Sequence, residues 1–337
     1  MYEKYYGFSD KPFQLKPDPR FFFGSKGHKR AMSYLDYGIS QGEGFIVITG
    51  EVGAGKTTLM RNLFCNLESD KIIAAQIVNT HVDSDDILRL VAGSFGIEYE
   101  NFSKATLLRR IEQYLNQVDR QGKRALLVVD EAQNLKPRAL EELRMLSNFQ
   151  TADKCLLQTF LLGQPEFRQV IQSPEMTQLS QRIIASYHLG PLDAEETRLY
   201  IEHRLVTVGW KNNPVIQPDA FRQIHQFTSG IPRKINSFCD RLFLMGYLEE
   251  MKEFGKVEVE QVVSDFQQER NVPSNLTPSE STPEKSLRAI DDLSDNYSYS
   301  DNLEERLSHM ERAISALIDG VKKIVSASKL NNETGTR

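Results

Sequence analysis

A glycine-rich run at residues 50–57 has the residue types and spacing that hold a phosphate chain. It reads Gly-Glu-Val-Gly-Ala-Gly-Lys-Thr and fits the pattern G-x-x-x-x-G-K-[ST]. Glycines let the backbone N–H groups turn toward phosphate oxygens, Lys56 would reach the β and γ phosphates, and the Thr57 hydroxyl would ligate Mg²⁺. The residues expected to bind the nucleotide are Gly50, Gly53, Ala54, Gly55, Lys56, Thr57 and Thr58. A chance glycine-rich turn is the alternative, but an apolar run precedes this one and a helical pattern follows it.

Two carboxylates follow a second apolar run. Residues 125–129 read Ala-Leu-Leu-Val-Val, as in a fully buried strand, and Asp130 and Glu131 come next. Beside a phosphate loop, such an Asp would hold the magnesium shell and the Glu would orient the attacking water. An acidic strand end that faces solvent is the alternative.

The elements that must position these residues alternate along the chain. Short apolar runs predict strands at 45–49, 72–79, 125–130, 156–162 and 186–189. Amphipathic stretches between them predict helices at 56–67, 86–94, 106–121, 137–147 and 174–184. This alternation predicts an α/β fold with a five-stranded, doubly wound parallel sheet.

The predicted organisation has five parts. They are an N-terminal arm and helix at 1–43, the nucleotide-binding domain at 44–192, an α-helical lid at 193–270, a disordered linker at 271–300, and a terminal helix and tail at 301–337. Apolar residues in heptad steps from Leu303 to Ile324 predict a short coiled coil or a partner-docking helix, with a fraying amphipathic tail as the alternative.

Composition narrows the class of protein. The 41 Lys and Arg against 46 Asp and Glu give a formal net charge of -5, so no overall positive field would draw the chain onto nucleic acid. Three widely spaced cysteines indicate reduced thiols. No apolar run approaches the roughly 20 residues that span a bilayer. These features predict a soluble, cytoplasmic protein without a transmembrane segment.

Several further runs carry a family resemblance. Residues 130–133 (Asp-Glu-Ala-Gln), 160–166 (Phe-Leu-Leu-Gly-Gln-Pro-Glu), 179–183 and 230–235 (Gly-Ile-Pro-Arg-Lys-Ile) resemble the ATPases of the general secretion pathway protein A type. Residues 11–13, 17–23 and 42–45 look most like the secretion ATPase associated with exosortase (XrtA/PEP-CTERM) exopolysaccharide loci. The resemblance covers about residues 1–270 and implies an AAA+ fold.

The resemblance also implies catalytic roles for three more residues. Gln164 would be a sensor near the γ-phosphate, Arg182 would be an arginine finger that acts on a neighbouring subunit, and Arg233 would couple the lid to the phosphates. The alternatives are a turn amide, a surface arginine and an ordinary helix-start arginine. If Arg182 is a finger, a homo-oligomer is required.

Two other features are weaker. Asn79, at a predicted strand end, would hold Glu131 idle until a partner binds, or would be an ordinary turn residue. His28, Lys29 and Arg30 would border the adenine pocket or be solvated, and the solvated alternative is favoured. No spacing of His, Cys and carboxylates indicates a zinc site.

The predicted function is therefore Mg²⁺-dependent ATP hydrolysis, with ATP and Mg²⁺ as cofactors. By resemblance, it would drive or switch an inner-membrane machine that exports surface polysaccharide or proteins, with recruitment from the cytoplasm to the protein components of that machine. The chain departs from the secretion group in showing no transmembrane segment and no periplasmic peptidoglycan-binding region after the lid. The alternatives are a DNA-associated ATPase of the transposition-targeting type, which the net acidity disfavours, and a nucleotide-gated scaffold with little turnover.

Overall fold

A computed structural model describes residues 1–78, 80, 84–151 and 154–270. Asn79, the predicted linker at 271–300 and the predicted terminal helix at 301–337 lie outside the described residues. The ordered elements from the N-terminus through the last strand of the main sheet are α1 Tyr2–Tyr6, α2 Lys26–Gln41, β1 Phe45–Gly50, α3 Lys56–Asn66, β2 Ile72–Ile77, α4 Ser84–Ser94, α5 Lys104–Arg120, β3 Arg124–Val129, α6 Pro137–Leu146, β4 Leu157–Gly163, α7 Phe167–Gln172, α8 Thr177–Ser180 and β5 Ile183–Leu189.

The elements of the predicted lid, residues 193–270, follow this sheet. They are α9 Ala194–Thr207, β6 Val215–Ile216, α10 Pro218–Thr228, α11 Pro232–Leu248, β7 Glu253–Phe254 and α12 Lys256–Arg270. The short strands β6 and β7 pair in parallel, a feature that the helical sequence pattern did not predict.

Five parallel strands form one sheet in the order β2-β3-β4-β1-β5, which confirms the predicted fold class. Side chains of β1 alternate between two cores: Phe45 and Val47 pack with the helices on one face, and Ile46 and Ile48 pack on the other. Both faces are covered, which explains the continuous apolar runs in the sequence. The carboxyl ends of β1, β3 and β4 meet at one edge, and ligands bind at this edge in open α/β sheets.

One predicted helix is wrong. The sequence predicted a helix over 174–184, but the structure has a 3-10 turn at Pro174–Met176, the single turn α8, and then β5 from Ile183. Met176, Leu179 and Ile183 fit a helical spacing, yet Ile183 pairs with Phe45 of β1. Sheet pairing therefore overrides the local pattern.

The N-terminal arm packs against the lid. Tyr2, Tyr6, Phe8 and Phe13 share one apolar core with the lid helices, and Tyr2 donates a hydrogen bond from its hydroxyl to Asp240 at 2.7 Å. In contrast, α2 packs against the main sheet. The segment between the arm and α2 therefore passes over the edge of the sheet where the phosphate loop lies.

Candidate active site at the carboxyl edge of the sheet

The phosphate loop connects β1 to α3. β1 ends at Gly50, and Gly53 and Gly55 adopt φ angles of 84° and 101°, which L-amino acids with a Cβ rarely take. Lys56 begins α3 and is 5% exposed; its Nζ donates to the carbonyl of Gly50 at 2.6 Å and to that of Glu51 at 3.1 Å. Burial lowers the Lys56 pKa, and nearby carboxylates oppose that shift.

Asp130 and Thr57 lie together below this loop. The Thr57 hydroxyl donates to Oδ2 of Asp130 at 2.8 Å, and Asp130 is 2% exposed. Burial raises the Asp130 pKa, while the hydrogen bonds from Thr57 and from the Glu131 backbone N–H oppose the rise.

A hydroxyl and one carboxylate are the oxygen donors that Mg²⁺ commonly takes from a protein when phosphates supply further ligands. No group of three or more His, Cys, Asp or Glu suited to a metal occurs in the part of the chain that the structure describes. The donor set therefore fits a phosphate-bound Mg²⁺ and does not indicate an all-protein metal cage.

Glu131 stands at the same edge in an unusual backbone conformation. Its φ is 52° and its ψ is 42°, and it precedes a 3-10 turn at Ala132–Asn134. The Thr80 hydroxyl donates to the carbonyl of Glu131 at 2.8 Å. On the side chain, Oε2 accepts hydrogen bonds from Nε2 of Gln133 at 2.5 Å and from Nε2 of Gln164 at 3.3 Å. Gln164, which follows β4, is thus brought to the Glu131 carboxylate.

The phosphate loop opens into a cleft of about 360 Å³ between the sheet, the arm and the lid. The arm contributes residues from Gln14 to Phe23, the loop and sheet contribute Val52, Gly53, Gly55, Lys56, Thr57, Thr58 and Glu131, and the lid contributes Leu192, Tyr200, Arg204, Pro232, Arg233 and Asn236; His28 of α2 completes the wall.

A buried arginine joins the arm to the lid beside this cleft. Arg204 is 6% exposed, and its guanidinium donates to the carbonyls of Pro12 and Gln14 at 2.6 and 3.1 Å. It also donates to the hydroxyl of Tyr200, which in turn donates to Asn236. Among the described residues Arg204 has no carboxylate within ion-pair distance, so carbonyl and hydroxyl oxygens compensate its charge.

Arg233 reaches the phosphate loop through its backbone. It is the second residue of α11, and its N–H donates to the carbonyl of Gly53 at 3.2 Å. Its side chain is exposed at the cleft and makes no hydrogen bond or ion pair with any described residue. The guanidinium is therefore available to a ligand in the cleft.

Arg182 lies outside this cleft. It lies between α8 and β5, directly before Ile183, and its carbonyl accepts from the N–H of Phe45, at the end of β1 opposite to Gly50. Its guanidinium donates to the hydroxyl of Ser147 at 2.9 Å and to the carbonyl of Ser147 at 3.3 Å. The structure does not bring Arg182 to the phosphate loop of its own chain, and its role toward a neighbouring subunit stays a prediction.

The sequence favoured a solvated basic cluster at His28, Lys29 and Arg30, and for His28 this prediction is wrong. Lys29 and Arg30 are exposed, but His28 is 6% exposed and its Nδ1 lies 2.7 Å from the hydroxyl of Ser25. A Cβ placed on Gly55 would lie 2.7 Å from Nε2 of His28, so the imidazole fills the space behind the phosphate loop. Burial lowers the His28 pKa to about 4.

This buried imidazole makes stability depend on pH. The unfolded pKa is about 6.5 and the folded pKa is about 4, so the unfolded chain binds more protons between these values. Stability is unaffected above the unfolded pKa and falls as the pH drops through this window. Between about pH 7.5 and about pH 4.5, we expect His28 to cost about 2 to 3 kcal/mol of unfolding free energy. Urea denaturation of wild type and His28→Gln at both pH values measures this loss of unfolding free energy, which should be smaller in His28→Gln. An equal loss in the two proteins would contradict the assignment of the effect to His28.

Sequence patterns missed three groups of site residues. Gln133 lies in the run used for the resemblance, but only the 3-10 turn brings its side chain back to Glu131. Thr80 is a buried hydroxyl with no motif around it. The cleft residues of the arm and of α9 are far apart in sequence, and no local spacing relates them; an aromatic and proline-rich segment was the one available signal.

Part of this chain matches a known protein family. Residues 39–171 match the family model described as AAA domain. This match spans β1, the phosphate loop, Asp130 and Glu131. Over these residues the chain is similar to AAA domains. Within the described residues, no helix is both long and apolar enough to cross a bilayer.

Similarity to known proteins continues outside residues 39–171. General secretion pathway protein A of Aeromonas hydrophila is 39% identical over 248 residues, which are 73% of this chain and 45% of that protein. The chain thus spans less than half the length of this relative. The shared region is longer than the stretch that the AAA domain model matches, so it extends into the flanking sequence.

Solved structures show the same fold at low sequence identity. Cdc6p of Pyrobaculum aerophilum superposes with a TM-score of 0.60 and 17% identity, over 76% of this chain and 70% of that chain. The ORC2 protein of Aeropyrum pernix, solved as ADPNP–ADP complexes, gives a TM-score of 0.58 and 18% identity, over 77% and 72%. At these identities the comparison shows the fold alone.

Proposed function

We propose that this protein is a Mg²⁺-dependent ATPase that drives or switches a machine for the export of proteins or surface polysaccharide. One observation supports the hydrolytic step above all others. Lys56, the Thr57–Asp130 pair and Glu131 converge at one edge of the sheet, at the base of a cleft about 360 Å³ in volume.

Each residue has a role that its contacts permit. Lys56 holds two backbone carbonyls and would exchange them for the β and γ phosphate oxygens, which are stronger acceptors. Thr57 and Asp130 would hold Mg²⁺, which neutralises charge on the phosphates when bound. Glu131 would accept a hydrogen bond from the attacking water and orient it. Arg233 has a guanidinium free to contact the phosphates from the lid.

The base and sugar have room between the arm and the lid. Gln14, Phe22 and Tyr200 are among the residues that line the cleft. Its volume of about 360 Å³ is within the range of small-molecule sites, about 300 to 1,000 Å³, which supports a nucleoside triphosphate as the ligand.

The export role rests on similarity to General secretion pathway protein A. The resemblance of the sequence motifs to exosortase-associated ATPases supports polysaccharide as one exported material. The partners would be protein components of an inner-membrane machine, to which a cytoplasmic chain is recruited. Nucleic acid is not an expected partner.

Replacing Lys56 by Met should strongly weaken ATP binding and abolish turnover. The substitution keeps an unbranched side chain but removes the charge that meets the phosphates, and we expect at least about a hundredfold weaker ATP binding. Calorimetry measures binding, and phosphate release measures turnover with and without Mg²⁺. Exposed Lys71 gives the control Lys71→Met, which should match wild type.

Two results would contradict this proposal: ATP binding by Lys56→Met at wild-type strength, or hydrolysis at full rate after chelation of Mg²⁺. The same assay over a range of protein concentrations tests the homo-oligomer in which Arg182 acts on a neighbour. Specific activity should rise with concentration, and a constant value would contradict that assembly.

A further inference from the structure

Hydrogen bonds fix the backbone of Glu131 at the end of β3. Its backbone is fixed by the hydroxyl of Thr80 on the carbonyl and by the Asp130 carboxylate on the N–H, at 2.8 and 3.0 Å. A left-handed conformation at a residue other than glycine persists only where its surroundings enforce it. The backbone alone leaves the carboxylate free to rotate, so its direction depends on side-chain contacts.

Gln133 supplies the closest of those contacts. Its Nε2 lies 2.5 Å from Oε2 of Glu131, and its Oε1 accepts the backbone N–H of Gln164 at 3.0 Å. Since that N–H can only donate, the Gln133 oxygen must face it and the nitrogen must face the carboxylate. The orientation of this amide is therefore determined by its partners.

A closed ring of hydrogen bonds results. Gln133 joins the Gln164 backbone to Glu131, and the Gln164 side chain returns to the same Oε2 at 3.3 Å. No described residue donates to Oε1 of Glu131. Both amides thus hold one carboxylate oxygen and leave the other for the attacking water.

The ring also resists opening. If Gln133 rotated away, the Gln164 N–H and the Glu131 Oε2 would both lose a partner at a half-buried position. Losing two hydrogen bonds at once costs free energy, so the arrangement favours a fixed support over a gate. Because it spans the ends of β3 and β4, it ties the γ-phosphate sensor position to the carboxylate.

We infer that Gln133 is a positioning residue for ATP hydrolysis, which directs the Glu131 carboxylate and couples it to Gln164. The inference rests on the proposed ATPase function. It assigns to Gln133 no contact with ATP, so loss of Gln133 should affect the chemical step and leave nucleotide binding intact.

The test replaces Gln133 by Met, which has similar length and no amide. A well-placed general base raises the reaction rate by about a hundredfold or more. A misdirected base loses part of this gain, so we expect kcat to fall by about tenfold. The dissociation constant of ATP should stay within about twofold of wild type. Exposed Gln169 on α7 gives the matched control Gln169→Met, which should leave kcat and ATP affinity unchanged.

A second measurement does not depend on turnover. In the ¹⁵N–¹H spectrum of the full chain, the backbone amide of Gln164 should shift in Gln133→Met and stay in place in Gln169→Met. An unmoved Gln164 amide overturns the inference. An unchanged or raised kcat also overturns it, as does ATP affinity that falls as far as kcat. If wild type bound ATP without hydrolysing it, the ATPase function would fail, and the Gln164 resonance would still decide whether the ring exists.

Discussion

Replacing Glu131 by Gln should lower ATP turnover by at least about a hundredfold and leave ATP tightly bound. The amide has nearly the same shape, and its oxygen can still accept the hydrogen bonds that Gln133 and Gln164 donate to Oε2. Only the negative charge that draws a proton from water is lost. Single-turnover phosphate release and ATP retention on the protein measure the two parts of this prediction.

The control for Glu131→Gln is Glu166→Gln. Glu166 is an exposed carboxylate just after β4. It is close enough to Lys56 for an electrostatic interaction, but it accepts no hydrogen bond from the side chains of Gln133 or Gln164. It should keep wild-type turnover. In a strain that lacks this gene, the Glu131→Gln protein should fail to restore export, while the Glu166→Gln protein should succeed. Export restored by Glu131→Gln would favour a nucleotide-gated scaffold over an ATPase motor.

Replacing Gly53 by Ala should displace the lid from the phosphate loop. A Cβ at Gly53 would lie 2.4 Å from Cβ of Arg233, and φ is 84°, so both the contact and the backbone conformation oppose the change. Cβ of Arg233 belongs to the rigid start of α11, which cannot rotate out of the way as a side-chain end would. We expect ATP affinity to fall by at least about tenfold, or about 1.4 kcal/mol.

The control variant Gly209→Ala distinguishes the effect of backbone strain from the effect of contact with the lid. Its φ of 87° is nearly the same, but a Cβ at Gly209 would have no atom within 4 Å beyond its chain neighbours. Gly209→Ala should therefore lose about 1 to 2 kcal/mol of unfolding free energy and keep ATP affinity. Denaturant unfolding and calorimetry of both variants make the comparison. Equal ATP affinity in Gly53→Ala and Gly209→Ala would show that the contact with Arg233 does not matter for binding.

The central elements were predictable because their signals are local. Strand β1 was predicted at 45–49 and spans Phe45–Gly50, and β3 was predicted at 125–130 and spans Arg124–Val129. Both strands are buried on two faces, so each is an unbroken apolar run. The edge strand β5 has one neighbour, and its first residues fit a helical spacing that only the pairing with β1 overrides.

The candidate site also has parts that the sequence predicted and parts that it did not. The sequence predicted a parallel sheet but not the order of its strands. The structure places β1, β3 and β4 side by side, and their carboxyl ends bring Lys56, Asp130 and Gln164 near one another. The short β6–β7 pair in the lid could not be predicted, because two residues are too few to show an alternation.

By itself, the sequence determined the phosphate loop, the paired carboxylates Asp130 and Glu131, and the α/β order of elements. These depend on glycine positions, on continuous apolar runs and on residues adjacent along the chain. Only the tertiary structure decided that His28 is buried behind the loop, that Gln133 holds Glu131, and that Arg204 ties the arm to the lid. Arg204 and Pro12 are 192 residues apart, and contacts at such separations follow from the packing of whole elements and leave no periodic trace in the sequence.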